Sequence, residues 1–507
     1  MRIALFVILC ASPAIAATLS VRDFGATGDG KTLDTPAINK AIDAAAEQGG
    51  GTVIFPAGDY LSVSIHLKSN VGLYLDQGAT ILGASEKDGY NYDDPEPNEW
   101  GDKGYQDFGH SHWHNSLIWG ENLDNITIAG PGKIYGKGMS RSTKQPKGGG
   151  NKAIALKLCK NIQIKDITIR KGGHFGMLAT GVDNLTIDGV KMDTDRDGMD
   201  IDACRNVRIS NCSINSPWDD GICLKSTYGL GFARACENVT VTNCQVSGYD
   251  EGTFLDGTFK REEKQKYSHK TTTGRLKFGT ESNGGFKNIT ISNCIFAYSR
   301  GLALETVDGG LLEDVTITNL TMRDIVNAPI YIRLGARMRG PDDASVGKLR
   351  RVLISNVVIH NAPTEQGVLI AGIPEHPIED LRLENIRIDY AGGGTEKQAT
   401  TRPTDHVKDY PEPANHGPTP SYGFFIRHVK NLELSDIQLS YAKDDVRPPF
   451  VIESCAGVDI ENVKAEHLST VPVFVLRQIQ NFRAQFVDGV ADIAKPLIDE
   501  ASITGSP

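Results

Sequence analysis

The residues 192–226, MDTDRDGMDIDACRNVRISNCSINSPWDDGICLKS, hold the chain's most legible chemistry. Asp197 sits in an acidic cluster, and the adjacent pair Asp219 and Asp220 follows, with Asp219 22 positions further on. Carboxyl groups held close together cannot all ionise easily, so one keeps a proton while another stays charged. One proton donor and one base are what cleavage of a glycosidic bond by water requires. A calcium loop is the competing reading, because Asp193-x-Asp195-x-Asp197-Gly198 repeats the opening ligand spacing of one. The match fails where the ligand set should close, since Asp200 replaces an apolar residue and Cys204 replaces the bidentate glutamate.

Whether the three aspartates meet depends on the elements that carry them. From Glu121 onward one unit recurs: an Asn or Asp, an alternating apolar strand, a turn and a second alternating strand, as in LCKNIQIKDITI, GVDNLTIDGV and ACRNVRISNCSI. The anchors Asn161, Asn184 and Asn206 lie 23 and 22 residues apart, so each coil is short and holds two or three strands. This is the signature of a parallel β-helix, an all-β solenoid. Adjacent coils stack about 4.8 Å apart, so the step from Asp197 to Asp219 equals one coil and brings both to one edge. The same stacking places Cys159, Val182, Cys204, Cys236 and Phe286 in one column and Cys212, Cys244 and Cys294 in another. Such columns bury cysteines as small apolar residues without disulfides. The repeat also accounts for Asn-x-Ser/Thr at Asn125, Asn184, Asn211, Asn238, Asn288 and Asn319 as turn asparagines, not sugar acceptors.

The 507 residues carry a formal charge of −10, which argues against nucleic acid and makes an anionic ligand dependent on a local cationic pocket. Residues 1–16, MRIALFVILCASPAIA, combine Arg2, an apolar run and Ala14-x-Ala16, the pattern of a secretory signal peptide cleaved near Ala16. A secreted or periplasmic location is therefore expected. No later stretch approaches the ~18 apolar residues of a membrane span. Repetition makes residues 17–507 one domain, expected to be monomeric, with residues 17–85 forming an N-terminal cap and the first coils. Asp34 or Thr35 starts a short helix through Pro36, and Gly49-Gly50-Gly51 ends it. A helix over the open end of the stack keeps that end soluble. The period breaks at residues 86–114, 248–273 and 391–422. Long loops on a rigid solenoid shape binding sites, although the last, rich in Pro, Gly and Thr, also reads as a merely mobile connection.

Several stretches together resemble the polygalacturonase family, glycoside hydrolase family 28. They are VRDFGATGDGKTLDTPAINKAID, SIHLKSNVGLYL, the NITIAGPGKIYGKG turn, the DGMD and WDDGICLKS pair, and GTESNGG at 279–285. The likeness covers roughly residues 18–390. It implies a right-handed parallel β-helix and inverting hydrolysis of pectic poly- or oligosaccharides with neither metal nor cofactor. The family's Asn-Thr-Asp-Gly-Ile-Asp falls on residues 195–200, giving Asp197 the place of a base. Its Gly-Asp-Asp falls on residues 218–220, making Asp219 the general acid and Asp220 the second base, which positions water. A one-coil separation alone suits retention, about 5–5.5 Å against 6.5–9.5 Å for inversion. Side-chain splay is expected to widen it, and the resemblance favours inversion.

Two family features depart from the pattern. The histidine of a Gly-His-Gly falls on Thr273, with His269 in the preceding insertion as a candidate replacement. The Arg-x-Lys that binds a uronate carboxylate falls on Ala303-Leu304-Glu305. Arg275 and Lys277, two apart on a strand and hence on one face, are candidate substitutes, with solvent exposure as the competing reading. Arg333 and His174 complete the candidate substrate-binding residues. Fewer cations move the expected substrate from plain polygalacturonate towards rhamnogalacturonan or a decorated pectin, and the long loops favour exo action at chain ends. The alternatives are a pectate-type lyase on the same architecture, which would need calcium and a basic proton abstractor, and a non-catalytic carbohydrate-binding solenoid.

Overall fold

Asparagine makes the corners of this molecule. At Asn70, Asn125, Asn161, Asn184, Asn206, Asn238 and Asn288 the backbone takes φ between 54° and 64°, a left-handed turn that Asn tolerates better than most residues. From Asn125 onward each side-chain amide donates to the Asn carbonyl oxygen one coil below, over 2.7 to 3.2 Å from Asn125→Asn70 up to Asn288→Asn238. A second ladder joins Asn319 to Asn293, Asn356 to Asn319 and Asn385 to Asn356. All six Asn-x-Ser/Thr asparagines donate within such ladders or to Asp188, in keeping with their reading as turn residues.

Between corners, alternating apolar residues point inward and stack in register. The result is a right-handed parallel β-helix of 35 strands, in a computed structural model that describes residues 17–142, 147–261 and 271–505. Ile126, Ile162, Leu185, Val207, Val239 and Ile289 form one inner column. The cysteine columns follow the expected register, Arg205 opposite Glu237 carrying Cys204 to Cys236, and Ser213 opposite Gln245 carrying Cys212 to Cys244. All eight described cysteines are buried and free.

Both ends of the stack are closed. The helix Thr35–Glu47 buries Ile38, Ala41, Ile42 and Ala45 against the first coils and has Pro36 in its first turn. Asp34 does not cap it through its side chain. That carboxylate accepts the Thr27 and Gly28 N–H groups instead, at 2.7 and 3.0 Å. At the other end Ile493–Ile503 pairs antiparallel with Phe474–Val487. Among the described residues no helix is long and apolar enough to cross a membrane.

One face runs the length of the solenoid through Ile118–Glu121, Lys152–Lys157, Phe175–Thr180, Asp197–Asp202, Ile222–Ser226, Leu276–Ser282 and their successors. All three insertions leave the stack at the corner that enters this face. Residues 86–114 precede Ile118–Glu121, 248–273 precede Leu276–Ser282, and 391–422 precede Phe424–Arg427. Loop and catalytic chemistry therefore share one edge.

The corner ladder makes a quantitative expectation. Asn206→Ala loses two ladder bonds and places an alanine in a left-handed turn, so it should cost about 2 kcal/mol. Asn206→Gly loses the bonds but keeps the turn and should cost roughly half as much. Thermal midpoints of the two variants check this, and an alanine variant as stable as the glycine one would contradict it.

Candidate active site

Glycine lets the two aspartate layers close on each other. A Cβ on Gly198 would come 2.4 Å from the Gly221 carbonyl oxygen and 2.5 Å from the Ile214 side chain, so DGMD and WDDG need a bare backbone at that contact. The register departs from the 22-residue spacing. Met199 pairs with Ile222 and Asp200 with Cys223, and the Gly198 N–H donates to the Asp220 carbonyl at 2.9 Å. Asp220, not Asp219, thus stands opposite Asp197, and Asp219 is displaced towards the mouth of the turn. All three still converge, each with a carboxylate oxygen within 4.8 Å of the others, so side-chain splay does not open the gap of about 6.5–9.5 Å usual for an inverting pair.

Their surroundings separate their protonation. Burial, with the charges of Asp219 and Asp200, pushes the Asp197 carboxyl well above the ordinary carboxylate range. Burial would raise Asp220 too, but Arg275, Lys277 and Lys225 outweigh it and hold this carboxyl below that range. The Arg275 Nε lies 2.6 Å and the Lys277 Nζ 3.3 Å from Asp220. Asp219 accepts a bond from Arg196 at 2.7 Å, and the same guanidinium reaches Asp197 at 4.0 Å. The Asp219 side chain is 25% exposed, against 6% for Asp197 and 3% for Asp220, so it is the one a ligand atom reaches first. Three carboxylates can also hold a divalent cation, but Arg196, Arg275 and Lys277 already balance these three, a donor set suited to exchanging protons.

The trio lines a cavity of about 210 Å³ with His174, Lys277 and residues that sequence reasoning did not single out: His110, Lys225, Glu281, Arg339 and Tyr410. His174 is buried, and burial with the nearby Arg196 and His110 holds it well below the ordinary histidine range, so it is neutral. Arg275 and Lys277 share a face and point into the protein, not to solvent. Their charges are already taken: Arg275 also faces Glu412 at 3.4 Å, and Lys277 faces Glu305 at 3.6 Å. Arg333 is buried elsewhere and does not line the cavity. It donates to the carbonyls of Asp405 and His406 at 2.7 and 2.8 Å and to that of Gly372 at 3.2 Å, clamping the 391–422 loop.

Thr273, at the family's histidine position, is buried, and its N–H donates to the Pro217 carbonyl. His269 lies outside the described residues. The two histidines in the cavity come from elsewhere, and His110 is brought in by the 86–114 insertion to donate to or accept from Asp200 at 2.7 Å. Asp193, which opens the calcium-like spacing, accepts the Gly252 and Leu255 N–H groups, both at 3.0 Å, and so anchors the 248–273 insertion. Asp195 pairs with Arg141, which stacks 3.9 Å over Trp218. The buried bases a lyase would draw on are held charged, Lys225 by Glu281 at 3.0 Å and Lys277 by Asp220.

The chain is similar to known proteins along most of its length. Residues 101–252, which contain all three aspartates, match the family described as Glycosyl hydrolases family 28. Residues 18–171 match a family described as Rhamnogalacturonase A/epimerase, pectate lyase-like. A protein of Vitis vinifera described as "Probable polygalacturonase" is 27% identical over 401 residues, 74% of this chain and 75% of its own. An exo-poly-alpha-D-galacturonosidase of Dickeya chrysanthemi is 30% identical over 216 residues, 41% of this chain and 34% of its own. The solved family 28 exopolygalacturonase of Yersinia enterocolitica has a TM-score of 0.61 at 19% identity, covering 88% of this chain and 78% of that one. With the carboxylate corner inside the matched span and the likeness continuing over most of the chain, the protein is a glycoside hydrolase similar to the polygalacturonases of glycosyl hydrolase family 28.

Proposed function

We propose that the protein hydrolyses galacturonosyl linkages of pectic polysaccharide by inversion, working from chain ends. The observation that carries this reading is the convergence of three carboxylates with opposed electrostatic surroundings and only Asp219 open to a ligand. One proton shared between Asp197 and Asp219 satisfies the site. In the free enzyme it rests on Asp197, where burial favours the neutral form. A leaving oxygen at the mouth draws it to Asp219, with Arg196 close enough to accept either arrangement. Asp219 then protonates the leaving group, and the ionised Asp220 and newly ionised Asp197 take the proton of the attacking water.

Attack at chain ends is supported by the 391–422 loop. Glu412 from this loop reaches Arg275 and Arg300, Tyr410 accepts a bond from Thr280 at 2.9 Å, and the Val407 carbonyl accepts the Ala336 N–H at 2.7 Å. The loop thus crosses the catalytic face directly beyond the carboxylate layers, where it would obstruct a chain continuing that way. Secretion or periplasmic export belongs to the same reading, since pectic polymers lie outside the cell; the signal-like residues 1–16 lie outside the described residues.

A rhamnogalacturonan substrate is the second reading, favoured by the neutralised cations and by the family match over residues 18–171. Separate incubation with oligogalacturonides and with rhamnogalacturonan oligosaccharides, with products identified by mass, should show single galacturonate units released from the former. Cleavage of the alternating chain alone would transfer the assignment, and mixed product lengths from the first minutes would refute end attack. Proton NMR should show a first-formed anomer opposite to that of the substrate.

Asp219→Asn should lower kcat by about 10³-fold with an unchanged thermal midpoint; near-normal turnover would remove Asp219 as the acid. The pH profile separates the other two aspartates. Loss of the shared proton sets the alkaline limb of kcat/KM, and protonation of Asp220 sets the acid limb. Arg275→Gln removes a cation that depresses Asp220, so the Asp220 pKa rises and the acid limb should move up by about one pH unit or more. The alkaline limb should stay in place. An unmoved acid limb would show that Asp220 does not control it.

A further inference from the structure

Recognition of a uronic acid needs a cation without an internal partner, and the cavity offers one such residue among those described. Arg196 is paired with Asp219, Lys225 with Glu281, and Lys277 with Asp220 and Glu305. Behind them Arg275 and Arg300 both face Glu412, and Arg337 faces Asp308 at 2.5 Å. Arg339 also lines the cavity and is exposed, and among the described residues its guanidinium makes no ion pair.

Its backbone, in contrast, is fixed. The Arg339 N–H donates to Asp308 at 3.0 Å, and its carbonyl accepts from the Asn283 amide at 2.6 Å. Asp308 is the same carboxylate that Arg337 grips, so the segment is tied to the buried charge network while the Arg339 side chain stays at the rim. Tyr410 lines the same cavity, 45% exposed, with its hydroxyl held by Thr280. An anchored phenol ring and, lining the same cavity, a guanidinium that lacks an acidic partner match the two parts of a uronic acid, an apolar ring face and a carboxylate.

We propose that Arg339, with Tyr410 as a stacking platform, recognises the carboxylate of the uronic acid bound at the mouth of the site. The assignment rests on the galacturonosyl reading above, and places charge recognition on two loops outside the repeating coils.

The test uses trigalacturonate and its methyl ester, with Arg339→Met, Arg339→Lys and the unaltered protein. In Arg339→Met the preference for the acid over the ester, as a ratio of kcat/KM values, should fall at least tenfold, mainly through KM. Arg339→Lys should recover part of it. Binding of trigalacturonate to Asp219→Asn and to Asp219→Asn/Arg339→Met, by calorimetry, should weaken at least tenfold in the double variant. Equal losses on acid and ester, or unchanged binding in the double variant, would overturn the proposal while leaving the hydrolytic reading intact. Arg339-dependent binding without hydrolysis would overturn only the hydrolytic reading, and absence of trigalacturonate binding would overturn both.

Discussion

Stacking in register imposes on every outward side chain a neighbour about 4.8 Å above and below, and the charged site is a set of answers to that constraint. An aspartate on one coil must meet something on the next. Asp197 meets Asp220, and the two are set apart: burial, with the charges of Asp219 and Asp200, pushes Asp197 towards its neutral form, and Asp220 is held ionised by Arg275 and Lys277 one coil further. The difference in proton affinity that acid–base hydrolysis needs therefore arises from position in the stack. Identical residues acquire different roles because one has a cationic layer beside it and the other does not.

The same outer column explains where the site stops. From Asp200 it passes through Cys223, Lys277 and Ala303, then Tyr331, Leu369, Phe425 and Val451. Its first members are polar or charged, and its last are a buried apolar cluster. Apolar side chains on the outer face of a strand require a cover, and the 391–422 loop provides it around Tyr331 and Arg333, with His416 packed on the Tyr331 ring. A loop that composition allows to be merely mobile is thus tied down by Arg333, by buried Glu412 and by Thr419. Closure of one end of the cleft follows from an apolar column.

The fold and the carboxylate trio were legible in the sequence because both are periodic. Asparagine at the corners, apolar alternation and coil length suffice to stack Cys204 on Cys236 and to bring residue 197 near residues 219 and 220. Coil counting misplaced a single step, since the turn at Pro217–Asp219 makes that layer one residue longer and puts Asp220 over Asp197. Periodicity says nothing about where an insertion aims its side chains, which hid His110, Tyr410 and Glu412. Lys225 and Glu281 lay within the motifs GICLKS and GTESNGG, yet their pairing across 56 positions spans an insertion that periodicity does not place. Arg333 shows the converse error: a cation on the expected face, whose donors serve loop carbonyls.

The replacement of Arg-x-Lys by Ala303-x-Glu305 takes a physical meaning from these pairs. Glu305 is fully buried, and burial, only partly opposed by Lys277 and Arg275, pushes it up to about 7. Together with Asp220 and Glu412 it sets three acids against Arg275, Lys277 and Arg300, so each of these cations already faces an acid. A substrate carboxylate entering there would have to displace an internal partner and leave a buried acid without its cation, which costs several kcal/mol. The interior therefore keeps Asp220 ionised and is poorly suited to reading the charge of the sugar. Selection by charge is cheaper at the rim, where a guanidinium that water solvates gives up only that hydration when a uronate binds.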